Sequence, residues 1–184
     1  EFEKPISEKF ISLEPQPLAA ASLGQVHVAR LRSTQKEQAE SGSACKDVVV
    51  KVLRPNIEQI IETDLAALRT VGTWLNRYRP IRRRADVPAL LDEFTRTLYE
   101  EIDYLNEGHN AETFAANFKD YPGVRVPQVC WTHTTRRVLT LENVLAIKIT
   151  DYQAISDAGV SRADVASRLL DTYLKQIFED GFFH

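Results

Sequence analysis

With 184 residues, 43% hydrophobic and 27% charged, the chain has the composition of a globular protein holding one cored domain, or a small lobe joined to part of another. A net charge of −3 gives no footing for nucleic acid as a general partner. Two cysteines, Cys45 and Cys130, with no CxxC or CxxH spacing, indicate neither a zinc site nor a disulfide framework, and no uncharged run approaches the roughly 20 apolar residues of a membrane span.

The chain opens on Glu1-Phe2-Glu3-Lys4, without a signal-peptide pattern, and contains no methionine, so it reads as a segment of something longer. Residues 1–9 are polar and expected to fray. Phe10 to Leu13 reads as a short strand closed by Pro15 and Pro17. Ala19 to Gly24 is a small-residue loop, and Gln25 to Leu31 alternates as a second strand. Ser33 to Lys46 is polar and reads as an exposed hairpin loop. Asp47 to Leu53 is a third strand, rich in valine, with Lys51 in its middle.

From Asn56 the period changes. Ile57, Ile60, Ile61, Leu65, Leu68, Val71, Trp74, Leu75 and Tyr78 follow the spacing of an amphipathic helix. Residues 78–84 break it, and the arginine run at 82–84 reads as a solvated loop, with acidic lipid headgroups as the weaker alternative. Asp86 is placed to cap a second long helix with Pro88 in its first turn. That helix carries Leu90, Leu91, Phe94, Leu98, Ile102 and Leu105 and is expected to continue past Gly108 towards Phe118. Pro127 to Thr132 and Arg137 to Leu141 read as two more strands around a threonine-rich turn. A last helix runs from Ser161, with Asp164 in a capping-box-like start, to Gly181. Five strands with helices inserted after the third make an α+β lobe.

Two constellations carry chemistry. Lys51 among β-branched neighbours is either an edge-strand lysine facing solvent or a buried cation whose charge must be answered. A small-residue loop, a strand, a linker and a strand with a lysine is the order in which protein kinases present a phosphate-covering loop and a phosphate-pairing lysine. The second constellation is Glu100-Glu101-Ile102-Asp103-Tyr104-Leu105-Asn106-Glu107. Asp103 and Glu107, four apart on one expected helix, share a face. The plain reading is a solvated acidic face; the sharper one has an acid reach Lys51 and orient it.

The run Pro17-Leu18-Ala19-Ala20-Ala21-Ser22-Leu23-Gly24-Gln25-Val26-His27, followed by Val50-Lys51-Val52-Leu53-Arg54-Pro55, resembles the UbiB (aarF-domain) family of atypical protein-kinase-like proteins. The agreement continues through Glu101-Ile102-Asp103-Tyr104, Glu107, Val126-Pro127, Val138-Leu139-Thr140-Leu141-Glu142 and Gly181-Phe182-Phe183-His184. The resemblance implies a protein-kinase-like N-lobe, a five-stranded antiparallel sheet with inserted long helices, over residues 1–142. It implies a hinge and the start of a C-lobe over 143–184. Ala19, Ala20, Ala21, Ser22, Leu23 and Gly24 would form an alanine-rich loop over the nucleotide phosphates, Ala20 and Ala21 in a compact turn near Lys51. Lys51 would pair with phosphate, Glu107 with Lys51, and Leu141, Glu142, Asn143 and Val144 would hold adenine. Glu101 and Asp103 match the family's ExD motif, a regulatory contact for a KxGQ segment that would precede Glu1; without it both acids are expected to be solvent-accessible.

The resemblance further implies ATP or ADP as ligand, and a link to isoprenoid quinone or lipid metabolism. It also implies a cytoplasmic place with peripheral contact at a lipid or membrane surface. Ala146 stands where the family has a glycine and Leu141 where it often has methionine, changes that narrow the expected pocket. The family's catalytic loop and its Mg²⁺ ligands would follow His184, so these residues alone are expected not to turn a nucleotide over. The rival function is a non-catalytic kinase-like scaffold or regulatory module.

Overall fold

The computed structural model describes residues 2, 5–20, 23–32, 46–144 and 146–183. Residues 33–45 of the expected hairpin loop, Ala21 and Ser22 of the alanine-rich loop, and His184 lie outside them. The chain groups into two compact units, Glu1–Asn110 with Val129–Glu142, and Ala111–Gln128 with Asn143–His184.

The first unit is built on an antiparallel sheet. A one-turn helix, α1 (Ile6–Lys9), stands where a frayed tail was expected and leads into β1 (Phe10–Leu13). Then follow β2 (Ala19–Ala20), β3 (Gly24–Leu31), β4 (Asp47–Leu53) and β5 (Val138–Glu142). The order is β1-β3-β4-β5, with β2 also paired to β3. The described residues form five strands, as expected, but their membership differs. Residues 127–132 form no strand: Val129 makes a single bridge to Leu141, and Trp131–His133 is a 3₁₀ turn. Pro127 lacks a ladder donor. Threonine hydroxyls take over the nearby backbone groups, Thr134 Oγ1 accepting from Thr140 N at 3.1 Å and donating to the Cys130 carbonyl at 3.0 Å. The fifth strand is instead Ala19–Ala20, paired to Val26 and Gln25, so Ala20 is extended and not in a compact turn.

Strand β4 is interior, flanked by β3 and β5, and both of its faces are covered. Alternation sends Val48 and Val50 to one side, where Phe10, Ala29, Leu31, Cys130 and Val138 pack. Leu53 and, with it in phase, Lys51 point to the other, where Ile57, Ile61, Leu65, Ile102, Tyr104 and Leu139 form a second core. Lys51 therefore stands on the helix-covered face of a central strand, not on an edge.

That cover begins with α2 (Ile57–Arg77), whose buried Ile57, Ile61 and Leu65 recur every four residues. A short turn, α3 (Arg79–Arg82), interrupts the expected break, and α4 (Val87–Glu101) returns. Asp86 caps α4 as expected, its carboxylate accepting from Ala89 N at 3.2 Å. Gly72 lets α4 close in: a Cβ there would lie 2.4 Å from Leu91 Cδ1.

The second long helix does not run through. It stops at Glu101, and α5 (Tyr104–Asn117) starts afresh after Ile102 and Asp103. The cause is a change of partners. Tyr104 N donates to the Arg136 carbonyl at 3.0 Å in place of a helical bond back to residue 100, and the Asp103 carboxylate accepts from Leu105 N at 3.1 Å. Among the described residues no helix is long and apolar enough to cross a membrane.

In the second unit, Asp151 caps α6 (Tyr152–Asp157) and Ser161 caps α7 (Arg162–Lys175), accepting from Asp164 N at 3.3 Å as the sequence predicts. One π turn, Gln176–Asp180, extends α7 and ends at Gly181, whose φ of 61° is left-handed. Lys175 Nζ donates to Asp180 Oδ1 at 2.5 Å and lies 5.2 Å from the Phe118 ring centroid. The apolar positions Leu169, Leu170, Tyr173, Leu174, Ile177 and Phe178 are exposed.

Candidate functional site

The site forms where β4 faces the start of α5. Lys51 Nζ donates to both carboxylate oxygens of Glu107, at 2.8 Å to Oε1 and 2.7 Å to Oε2. These distances lie within the roughly 4 Å limit of an ion pair. The side chains are 27% and 43% exposed, so water screens the pair and its contribution to stability is on the order of 1 kcal/mol or less. What the bidentate contact does supply is direction. A lysine on a flexible four-carbon stem is held at one place on the sheet face, with its remaining N–H bond free to donate.

Tyr104 completes the arrangement. Its ring lies against the ammonium, Nζ to centroid 4.8 Å, a cation–π distance. The residue is 1% exposed, and among the described residues its hydroxyl has no hydrogen-bond partner. Burial first, then the Glu107 carboxylate, then that of Glu101, push the phenol up to about 12. The hydroxyl also abuts Gly24: a Cβ at that glycine would lie 2.7 Å from it and 2.5 Å from the Val52 carbonyl oxygen. The end of the alanine-rich loop is thus pressed against the strand that carries Lys51. A bond from Arg54 N to the Leu23 carbonyl, 3.0 Å, ties the same two segments.

The expected residues are distributed as follows. Lys51 and Glu107 meet. Leu23 and Gly24 lie at the β4 end of the loop, Ala19 and Ala20 in β2 on the far side of β3, with Ala20 opposite Gln25. Leu141 pairs with Val49 and Lys51 with Leu139, so Leu141 shares the Lys51 face, while Glu142 ends β5. Asn143 and Val144 belong to the second unit.

The acidic motif departs from expectation. Asp103 sits in the break before α5, so it and Glu107 do not share a helical face. Nor is Asp103 left without a partner: Arg136 reaches its Oδ2 at 3.1 Å from Nη2 and 3.2 Å from Nε, and its side chain is only 20% exposed. Glu101, at the end of α4, is exposed as expected. Among the described residues no group of three or more His, Cys, Asp or Glu side chains is placed to hold a metal ion.

Tyr104, Arg136 and the steric demand at Gly24 were missed from the sequence. Tyr104 was legible in principle, since it lies three residues before Glu107 and therefore on the same helical face. Arg136, 33 residues from Asp103, has no local signal.

The chain is 40% identical over 181 residues to the protein ACTIVITY OF BC1 COMPLEX KINASE 8, chloroplastic, of Arabidopsis thaliana, with 97% of this chain and 22% of that protein covered. It is 34% identical over 180 residues to a probable protein kinase UbiB of Marinobacter nauticus, covering 98% of this chain and 31% of that protein. Among solved structures it is similar to Rv3197 of Mycobacterium tuberculosis, in a complex with erythromycin, with a TM-score of 0.60 and 28% identity over 78% of this chain and 33% of that one. The chain thus spans less than a third of the length of the two curated relatives. Residues 1–184 match the family model of the ABC1 atypical kinase-like domain, and the chain belongs to that family.

Proposed function

We propose that this chain is the nucleotide-binding lobe of a UbiB-type atypical kinase or ATPase. The observation that carries the reading is the ammonium of Lys51, held on the covered face of β4 by both oxygens of Glu107. A cation so tethered keeps one position and can pair with a phosphate as the kinase-type lysine does. The loop ending at Gly24 then covers the phosphates of ATP or ADP, and Leu141, on the Lys51 face of β5, and Glu142 meet the base. The residues present fit a nucleotide; Mg²⁺ would be held by groups elsewhere in the full protein. A role in isoprenoid quinone or lipid metabolism, with peripheral contact at a membrane surface, belongs to the same reading and draws its support from family membership.

The test is a titration of the full-length protein with a fluorescent ATP or ADP analogue. A charge-assisted contact of about 1.5–3 kcal/mol converts to about 10- to 150-fold in affinity, so Lys51→Met is expected to weaken binding by that factor, and Glu107→Gln by less. Unchanged affinity in Lys51→Met, with the fold intact, refutes the assignment. Binding with no turnover in the wild-type protein favours the scaffold over the enzyme.

A further inference from the structure

Among the described residues Lys51 contacts two side chains of α5, one charged and one aromatic. Glu107 takes the ammonium through its carboxylate, and the face of Tyr104 takes it through the ring. Positions 104 and 107 are three apart, so one face of the helix presents both.

The two contacts differ in rigidity. The Glu107 side chain is 43% exposed and has room for other rotamers. Tyr104 is 1% exposed, buried in the second core with Leu53, Ile57, Ile61, Leu65, Ile102 and Leu139, and has no such room. Its backbone is pinned as well, through the bond from its N–H to the Arg136 carbonyl, and Asp103 just before it is held by the Arg136 guanidinium. Of the groups around Lys51, the ring is the one whose place is set by the core itself.

We propose that Tyr104 is a positioning residue for Lys51, its buried ring face setting where the ammonium rests while Glu107 tethers it there. The ring acts through Lys51 and touches no nucleotide. Its effect on binding rests on the reading of Lys51 given above; its hold on Lys51 does not, and is read without nucleotide.

The protein is labelled with [¹³Cε]lysine, and the Lys51 signal is assigned by its disappearance in Lys51→Arg. The ring current of Tyr104 is expected to move the Lys51 ε-CH₂ resonance upfield of the exposed lysines. The displacement should persist in Tyr104→Phe and in Glu107→Gln and vanish in Tyr104→Leu. In parallel, Tyr104→Phe should bind the fluorescent nucleotide within about 2-fold of wild type and Tyr104→Leu about 3- to 30-fold more weakly, as loss of a partly desolvated cation–π contact implies. A Lys51 resonance at the ordinary lysine position in the wild-type protein overturns the proposal, whether or not any variant folds. So does a displacement that survives Tyr104→Leu or is lost in Glu107→Gln, since the carboxylate would then set the position. Normal nucleotide affinity in Lys51→Met would overturn the nucleotide reading alone, and the spectrum would still decide the role of the ring.

Discussion

Tyr104→Phe removes one buried oxygen and leaves the ring in place. Among the described residues that oxygen has no hydrogen-bond partner, and burying a hydroxyl without one costs about 1–3 kcal/mol. At neutral pH the variant is expected to match the wild type or exceed it by about 1 kcal/mol. A second effect appears at alkaline pH. The phenol is pushed up to about 12 in the fold, against 10.0 for an unperturbed tyrosine. Because the folded value lies above the unfolded one, the contribution of the neutral phenol is fully present below pH 10 and is lost as pH rises through 12. At about 1.4 kcal/mol per pH unit the gap has an upper bound of about 2.7 kcal/mol. Water screens the carboxylate share of that gap, since Glu101 and Glu107 are both exposed in part, so about 1–2 kcal/mol is expected. Denaturation by urea at pH 7, 9 and 11 measures it. The stability difference in favour of Tyr104→Phe should widen by about 1 kcal/mol between pH 7 and pH 11. A variant less stable than wild type by more than about 1 kcal/mol at pH 7 would show that the hydroxyl has a partner, and the reasoning would fail. A difference that stays constant to pH 11 would refute the elevated value.

Gly24→Ala is expected to cost about 1–3 kcal/mol, because its Cβ would meet the backbone carbonyl of Val52 at 2.5 Å and a carbonyl in a paired strand cannot step aside. An unchanged denaturation midpoint would show that the loop end yields freely. Asp103→Ala removes the cap on Leu105 N and the partner of Arg136, and a loss of about 1–2 kcal/mol is expected from the cap. Amides of residues 104–107 should then exchange faster with deuterium, and unaltered exchange there would mean that the Arg136 carbonyl alone holds the start of α5.

What could be read from the chain by itself was whatever is settled within a few residues. The strand Asp47–Leu53 was placed to the residue, because a short run rich in β-branched valines is a strand signal contained in seven positions. The caps at Asp86 and Ser161 followed from a side-chain oxygen three residues before the amide it accepts from. Lys51 and Glu107, 56 residues apart, were named as a pair only through resemblance to a family; no spacing rule joins them. Tertiary structure decided the rest. The α4–α5 break depends on Arg136, whose carbonyl takes the Tyr104 N–H and whose guanidinium holds Asp103, from 32 and 33 residues away, in place of bonds that would continue α4. Residues 127–132 lost their place as a strand to threonine hydroxyls on the neighbouring turn, and Ala19–Ala20 gained one because β3 offered unpaired backbone groups beside them. Which face of β4 would be covered by helices, and so whether Lys51 would meet solvent or an aromatic ring, was settled by packing alone, since alternation says which residues share a face but not what lies opposite it.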